Sequence, residues 1–70
     1  MDKQFIKKVG KNIKKYREKN KLTKIELAVD AHMSQSMIGM IETAKTDITL
    51  SKINAIAKSL KIDAYLLLKD

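Results

Sequence analysis

The side chains most often used in catalysis and metal binding are scarce in this sequence. It contains one histidine, His32, and no cysteine, and no pair of carboxylates lies near that histidine at ligand spacing. Metal coordination and acid–base catalysis need several such groups held together. We therefore predict that the protein is not an enzyme and uses no metal or cofactor, and a metal or acid–base role for His32 is the less favoured alternative.

The stretch TKIELAVDAHMSQSMIGMIE, residues 23–42, contains two short apolar periodic segments, each opened by a hydroxyl residue. Thr23 and Glu26 have the spacing of a capping box, and Ser34 can cap a second helix after the break at residues 30–33. Apolar residues follow each cap at helical rather than strand spacing: Ile25, Leu27, Ala28 and Ala31, then Met37, Ile38 and Ile41. A helix, a tight turn and a second helix form the arrangement that braces one helix against the major groove of DNA.

Length and composition predict one small helical domain spanning residues 1–70. A chain of 70 residues buries about 60% of its unfolded surface. Proline is absent and glycine occurs only at positions 10 and 39, which favours helices with short connections. The absence of cysteine fits a reducing cytoplasm, and no apolar run resembles a membrane span or a signal peptide. We expect a cytoplasmic protein without membrane association.

The positive charge is concentrated near the N-terminus. Ten of the fifteen basic residues, but only two of the eight acidic ones, lie in residues 1–24. This asymmetry indicates a polyanionic partner for that third of the chain. The alternative is a solvated lysine face that keeps the protein soluble.

The first helix is predicted to run from Asp2 or Lys3 to about Asn20. One apolar stripe follows from the helical spacing of Phe5, Val9, Ile13 and Tyr16, with Ile6 beside it. Gly10 lies on the same side, which indicates the close approach of another helix. A basic amphipathic helix can also lie on a membrane surface, but the rest of the chain offers a partner for the stripe.

Several segments, in order and at their separations, resemble the Cro/repressor-type (XRE-like) helix-turn-helix family. They are VGKNIKKYREKNKLT, ELA, the pattern S-x-S-x-I-x-x-I-E from Ser34, and LSKINAIAKSL, within residues 9–67. The resemblance implies an all-α, compact five-helix repressor-like domain with its helix-turn-helix core at residues 23–43. It also implies a partly shielded Arg17–Glu42 ion pair between the first and third helices, against the alternative of two independent surface charges. At His32 and Ala44 many relatives carry glycine, because the chain there adopts a positive φ.

The resemblance makes residues 35 to about 43 the recognition helix, with Ile38 and Ile41 facing inward. The outward residues would be Gln35, Ser36, Met37, Gly39 and Met40. Gln35 can bind adenine, Ser36 can pair with several bases, and Met40 can pack on a thymine methyl group. The expected base-contacting residues are Gln35, Ser36, Gly39 and Met40, and the expected backbone-contacting residues are Arg17, Thr23, Lys24, Thr43, Lys45 and Thr46. Alternatively, Met37 and Met40 form a protein-binding surface.

The C-terminal part is expected to be structural and then to form an interface. Thr49 would cap a fourth helix at residues 50–60, whose core stripe is Leu50, Ile53, Ile56, Ala57 and Leu60. Asp63 would cap a short helix at residues 64–68, which contains four consecutive apolar residues. Such an apolar excess indicates an interface, so we predict a homodimer through residues 60–70, using Tyr65, Leu66 and Leu68. The alternative is that Tyr65 covers the core edge and the tail frays.

These expectations converge on a small transcription regulator that binds double-stranded DNA as a homodimer at a palindromic operator. No small-molecule ligand is expected. The single-domain form and the run DITLSKI are similar to restriction–modification controller proteins and to small phage or mobile-element repressors. The alternative is a protein-interaction module, antitoxin-like or antirepressor-like, that keeps the fold without reading bases.

Overall fold

The computed structural model describes residues 2–70, and these residues form five helices and no strand. The helices are α1 (Lys3–Lys19), α2 (Lys24–Asp30), α3 (Gln35–Glu42), α4 (Leu50–Leu60) and α5 (Tyr65–Leu68). The all-α, five-helix prediction is therefore confirmed. Within the described part of the chain, no helix has the length and apolar character needed to cross a membrane.

The helices begin where the sequence places capping side chains. Thr23 Oγ1 accepts from the Glu26 amide at 3.1 Å, and the Glu26 carboxylate accepts from the Thr23 amide at 2.8 Å, which completes the capping box. Ser34 Oγ accepts from Met37 N at 3.0 Å, and Thr49 Oγ1 accepts from Lys52 N at 3.2 Å. Each bond satisfies an amide that the first helical turn leaves unpaired. The predicted starts of α2, α3 and α4 are confirmed.

Four helices are followed within two residues by a residue in the left-handed conformation, and none of these residues is glycine. The residues are Lys21, His32, Ala44 and Lys61, with φ between 57° and 59°. The residue that follows donates back to the helix in each case; Met33 N, for example, donates to Ala28 O at 2.8 Å. This pattern satisfies otherwise unpaired carbonyl groups at the helix end. The predicted positive φ at His32 and Ala44 is confirmed, at a cost that glycine would avoid.

The core lies between the inward faces of all five helices. Val9 and Ile13 of α1 are fully buried, and Phe5 and Tyr16 of the same stripe pack at the core edge. The other helices contribute the buried residues Leu27, Ala28, Ile38, Ile41, Ile53, Ile56, Ala57, Leu60 and Leu67. Burial of these apolar side chains is the main force that stabilises so short a chain.

Two apolar residues that were predicted to belong to the core-facing stripes are exposed to solvent instead. Leu50 is 74% exposed, because it starts α4 beyond the end of the core, where Ile48 of the preceding loop is buried instead. Ile25, in the first turn of α2, is 55% exposed. Helical spacing identifies the direction of a stripe, but it does not show where the neighbouring elements stop covering it.

The C-terminal segment is tied to α1. Asn12 Nδ2 donates to Leu67 O at 2.9 Å and to Lys69 O at 2.7 Å, and Lys8 Nζ lies 3.1 Å from Asp70 Oδ1. The helix α5 begins one residue later than predicted, and Asp63 Oδ1 accepts from Tyr65 N at 3.0 Å. These bonds hold α5 against α1.

Candidate nucleic-acid interface

The outer face of α3 presents polar and apolar side chains to solvent. Gln35 and Ser36 are exposed in its first turn, and Met40 is 38% exposed one turn later. Ile38 and Ile41 point the other way into the core, where they are 0% and 2% exposed. The core contacts therefore fix the rotation of α3 about its own axis, so that Gln35, Ser36 and Met40 share one open side.

Met37 does not belong to that open side, contrary to the sequence prediction. It is half-buried and packs against the core, and Lys52 Nζ lies 4.0 Å from its sulfur atom. The contact brings the amine of Lys52 from α4 to the N-terminal half of α3. Sequence reasoning missed Lys52, because only the tertiary packing of α4 on α3 reveals this position.

Gly39 occupies an open position in the middle of α3. A Cβ atom built on this residue would meet no heavy atom within 4 Å, apart from its chain neighbours and the helix backbone. Packing inside the chain therefore does not require glycine here, although glycine lowers helix stability by about 1 kcal/mol relative to alanine. The open space lies between the flanking residues of the exposed side and lets another molecule approach the helix backbone closely.

A buried ion pair fastens the C-terminal end of α3 to α1. Arg17 Nε donates to Glu42 Oε2 at 2.7 Å and Nη2 donates to Oε1 at 3.1 Å, a bidentate geometry. A third donor, Nη1, binds Leu22 O at 2.8 Å. The hydrogen bond to Glu42 raises the pKa of Arg17, against the opposing effect of burial, so the guanidinium stays charged. The expected pair is present and is more buried than the sequence suggested.

Burial leaves little of the Arg17 side chain accessible to solvent. The residue is 7% exposed, and three of its N–H groups already bind protein acceptors. Arg17 therefore orients α3, and its contact with a DNA phosphate stays a prediction.

Close backbone packing brings α1 and α3 together next to this ion pair. A Cβ atom on Gly10 would collide with the carbonyl oxygen of Ile41 and would lie 3.0 Å from that of Glu42. Glycine is needed here because these neighbours are backbone atoms that cannot rotate away. The predicted close approach of another helix at Gly10 is confirmed, and the partner is α3.

The other predicted backbone-contacting residues lie at the ends of α2 and α3. Thr23 is exposed and Lys24 is half-buried at the start of α2, where the helix dipole favours anions. Lys45 is exposed after α3, and Thr46 is half-buried. The hydroxyl group of Thr43 donates to Gly39 O at 2.8 Å, which leaves it able to accept a hydrogen bond but not to donate one to phosphate.

A comparison with known protein families identifies the family to which this chain belongs. A model of the helix-turn-helix family matches residues 13–67, most of the chain. The chain therefore belongs to the helix-turn-helix family, in its Cro/repressor (XRE) type, whose members are DNA-binding transcription regulators. No curated protein sequence matches the chain significantly.

Solved structures share the fold. The restriction–modification controller protein C.AhdI from Aeromonas hydrophila is 24% identical, with a TM-score of 0.86 over 89% of this chain and 94% of that one. The clp gene regulator ClgR from C. glutamicum is 16% identical, with a TM-score of 0.88 over 91% and 83%. The hypothetical transcription factor NHTF from Neisseria is 26% identical, with a TM-score of 0.90 over 99% and 80%.

Proposed function

We propose that this regulator binds double-stranded DNA sequence-specifically, with α3 in the major groove. The observation that supports this most is the open side of α3, where Gln35, Ser36 and Met40 face solvent around the uncovered backbone of Gly39. The amide of Gln35 can bind both N6 and N7 of adenine, and Ser36 can hydrogen-bond to several bases. Met40 would pack on a thymine methyl group. The tail does not cover this surface, because α5 is tied to α1.

Phosphate contacts would flank the base-reading surface on both sides. Lys24 at the start of α2, Lys45 after α3 and Lys52 beside Met37 would supply the positive charge for these contacts. The proposed set of backbone-contacting residues is completed by Arg17, Thr23, Thr43 and Thr46. Thr43 would act through its backbone or as an acceptor, and Arg17 through the N–H groups that bind no protein acceptor. Such contacts fix the register of the protein on the duplex without reading its sequence.

Salt titration separates this proposal from the protein-interaction alternative. Lysine contacts to phosphate release counterions, so the logarithm of the affinity for duplex DNA should fall linearly with the logarithm of the salt concentration. Replacing Lys24 and Lys45 with glutamine should lower the slope by about two. A wild-type protein that binds no duplex DNA at 50 mM salt would favour a protein-interaction module and sink the proposal.

Replacing Gly39 with alanine should separate stability from binding. The added methyl group meets nothing within the protein, so we expect the melting temperature to rise by roughly 3–8 °C from the gain in helix propensity. Operator affinity should fall, because the methyl group occupies the space through which the helix backbone approaches the bases. Thermal unfolding and fluorescence anisotropy check the two effects, and an unchanged affinity would show that Gly39 does not face the groove.

We also propose that two copies bind together at a palindromic operator. On α5, Tyr65 is 62% exposed and Leu66 is half-exposed. The leucine side chain is apolar, and so is most of the tyrosine ring. Leu68 packs partly on the core and borders the same end of the molecule. A two-fold dimer through these residues would present two copies of α3 to successive major grooves, about 34 Å apart.

Replacing Leu66 with glutamate should shift the protein toward monomer and weaken operator binding. The substitution places a charge in the centre of the proposed apolar interface, and sedimentation velocity measures the result. The matched control is Leu50→Glu, which changes an apolar side chain that is 74% exposed at the start of α4. The interface proposal is wrong if the Leu66 variant sediments as a full dimer, or if both variants dissociate equally.

A further inference from the structure

The solvent-exposed face of α1 carries a high positive charge, and only part of it is paired within the protein. Seven lysines lie on α1 against one acidic residue of that helix, Glu18. At 3.6 residues per turn, all seven fall on the side opposite Val9 and Ile13, which are fully buried. These lysines, named here the lysine face, are Lys3, Lys7, Lys8, Lys11, Lys14, Lys15 and Lys19.

Three of these lysines have contacts within the protein. Lys8 pairs with Asp70 and lies 4.9 Å from the centre of the Phe5 ring, and Lys15 and Lys19 lie 5.4 and 5.9 Å from the centre of the Tyr16 ring. Within residues 2–70, the other four make no ion pair or ring contact. They are Lys3, Lys7, Lys11 and Lys14, all exposed along one side of α1.

The unpaired lysines form a row that matches a polyanion in length and charge. Lys3 and Lys14 are separated by about 16 Å along the helix axis, and a DNA duplex carries roughly ten negative charges over that distance. Like charges spaced four residues apart destabilise a helix. The row therefore opposes folding slightly, and a bound polyanion would relieve that repulsion.

The four unpaired lysines lie outside the contacts that join α1 to α3 and to the C-terminal segment. The contact of α1 with α3 runs through Gly10 and Arg17, along one edge of α1. Its contact with the C-terminal segment runs through Asn12 and Lys8, along the opposite edge. The lysine row lies between these two edges, on the outside of the molecule. At 3.6 residues per turn, Lys7 and Lys11 lie farther around the helix from Gly10 than Lys3 and Lys14 do, so a duplex seated on α3 would meet them last.

We infer that the lysine face binds the phosphate backbone of a second DNA duplex while α3 holds the first. DNA fits this face better than an anionic membrane does, because the apolar stripe of α1 is committed to the core and has nothing left to insert into lipid. The contact carries no sequence preference, since it consists of lysine ammonium groups on phosphate oxygens. This inference rests on the proposed function in one respect, because α3 must hold the first duplex.

A two-duplex capture experiment tests this inference. An operator duplex chosen by selection is fixed to a surface and saturated with protein, and an unrelated fluorescent duplex of 20 base pairs is then added at 50 mM salt. The variant Lys7→Gln/Lys11→Gln should capture the second duplex roughly tenfold less than the wild type, with operator affinity changed less than twofold. The matched control Lys58→Gln/Lys61→Gln, which removes equal charge from exposed positions near the end of α4, should capture it normally.

Each other outcome has a distinct meaning. The inference is overturned if the α1 variant captures the second duplex like the wild type, if both variants lose it equally, or if operator binding falls as much as capture does. If phosphatidylglycerol vesicles retain the protein while no second duplex is captured, the lysine face binds a membrane surface rather than DNA, and the inference is overturned. A wild-type protein that holds no operator would refute the proposed function instead, and the same pair of variants on a random duplex would still test the lysine face.

Discussion

Replacing Glu42 with alanine is expected to remove much of the protein's free energy of unfolding. The substitution strands the charged guanidinium of Arg17, which is 7% exposed and loses the acceptors for its Nε and Nη2 groups. Removing one partner of a buried ion pair costs about 3–5 kcal/mol. A 70-residue domain has a total stability of about 4–10 kcal/mol, so this loss removes much of it. Urea unfolding followed by circular dichroism measures the difference.

A double variant separates the stranded charge from the loss of a favourable contact. In Arg17→Met/Glu42→Leu both charges are replaced by apolar side chains of similar size, so no buried charge is left unpaired. Such replacements are often neutral or stabilising, and we expect most of the lost stability to return, less the bond from Arg17 to Leu22 O. If Glu42→Ala stays within 1 kcal/mol of the wild type, the pair does not hold α3 on α1.

Replacing Gly10 with alanine should destabilise the protein by about 1–3 kcal/mol, the usual cost of overpacking. The new methyl group would overlap the carbonyl oxygen of Ile41 and crowd that of Glu42. Because both neighbours are backbone atoms, the two helices must separate for the methyl group to fit. That separation would also lengthen the Arg17–Glu42 hydrogen bonds. Thermal unfolding should show a melting temperature lower by several degrees.

The same substitution at Gly39 supplies the matched control. Both glycines lie inside helices, so each change to alanine gives a similar gain in helix propensity. Only Gly10 has another helix within contact distance of the added carbon. The two variants should therefore shift the melting temperature in opposite directions. Equal shifts of the same sign would contradict the close packing of α1 on α3.

The sequence predicted local features well because their causes are local. Thr23 and Glu26, Ser34 and Thr49 form caps with amides three residues away, and the spacing of these residues is visible in the sequence. The left-handed turn residues His32 and Ala44 were predicted by resemblance alone. Lys21 and Lys61 adopt the same conformation, but no residue type that favours positive φ signals it.

Features that depend on where a neighbouring element ends were predicted less well. Leu50 continues the α4 stripe in sequence, but the chain before it turns Ile48 into the core. Met37 was assigned to the open side of α3, and α4 covers it instead. Arg17 was expected to be partly shielded, but it is only 7% exposed. None of these errors moved Gln35, Ser36 or Met40 away from solvent.

The most direct test of the central claim is selection from a random duplex pool with the wild type and with Gln35→Ala in parallel. If the exposed side of α3 reads bases, the wild type selects a two-fold symmetric sequence, and Gln35→Ala loses preference at one base pair in each half-site. The expected loss of discrimination there is about 1–3 kcal/mol, with the other positions unchanged. A wild-type pool without enriched sequence, or a variant that loses affinity equally for all sequences, would contradict base reading by α3.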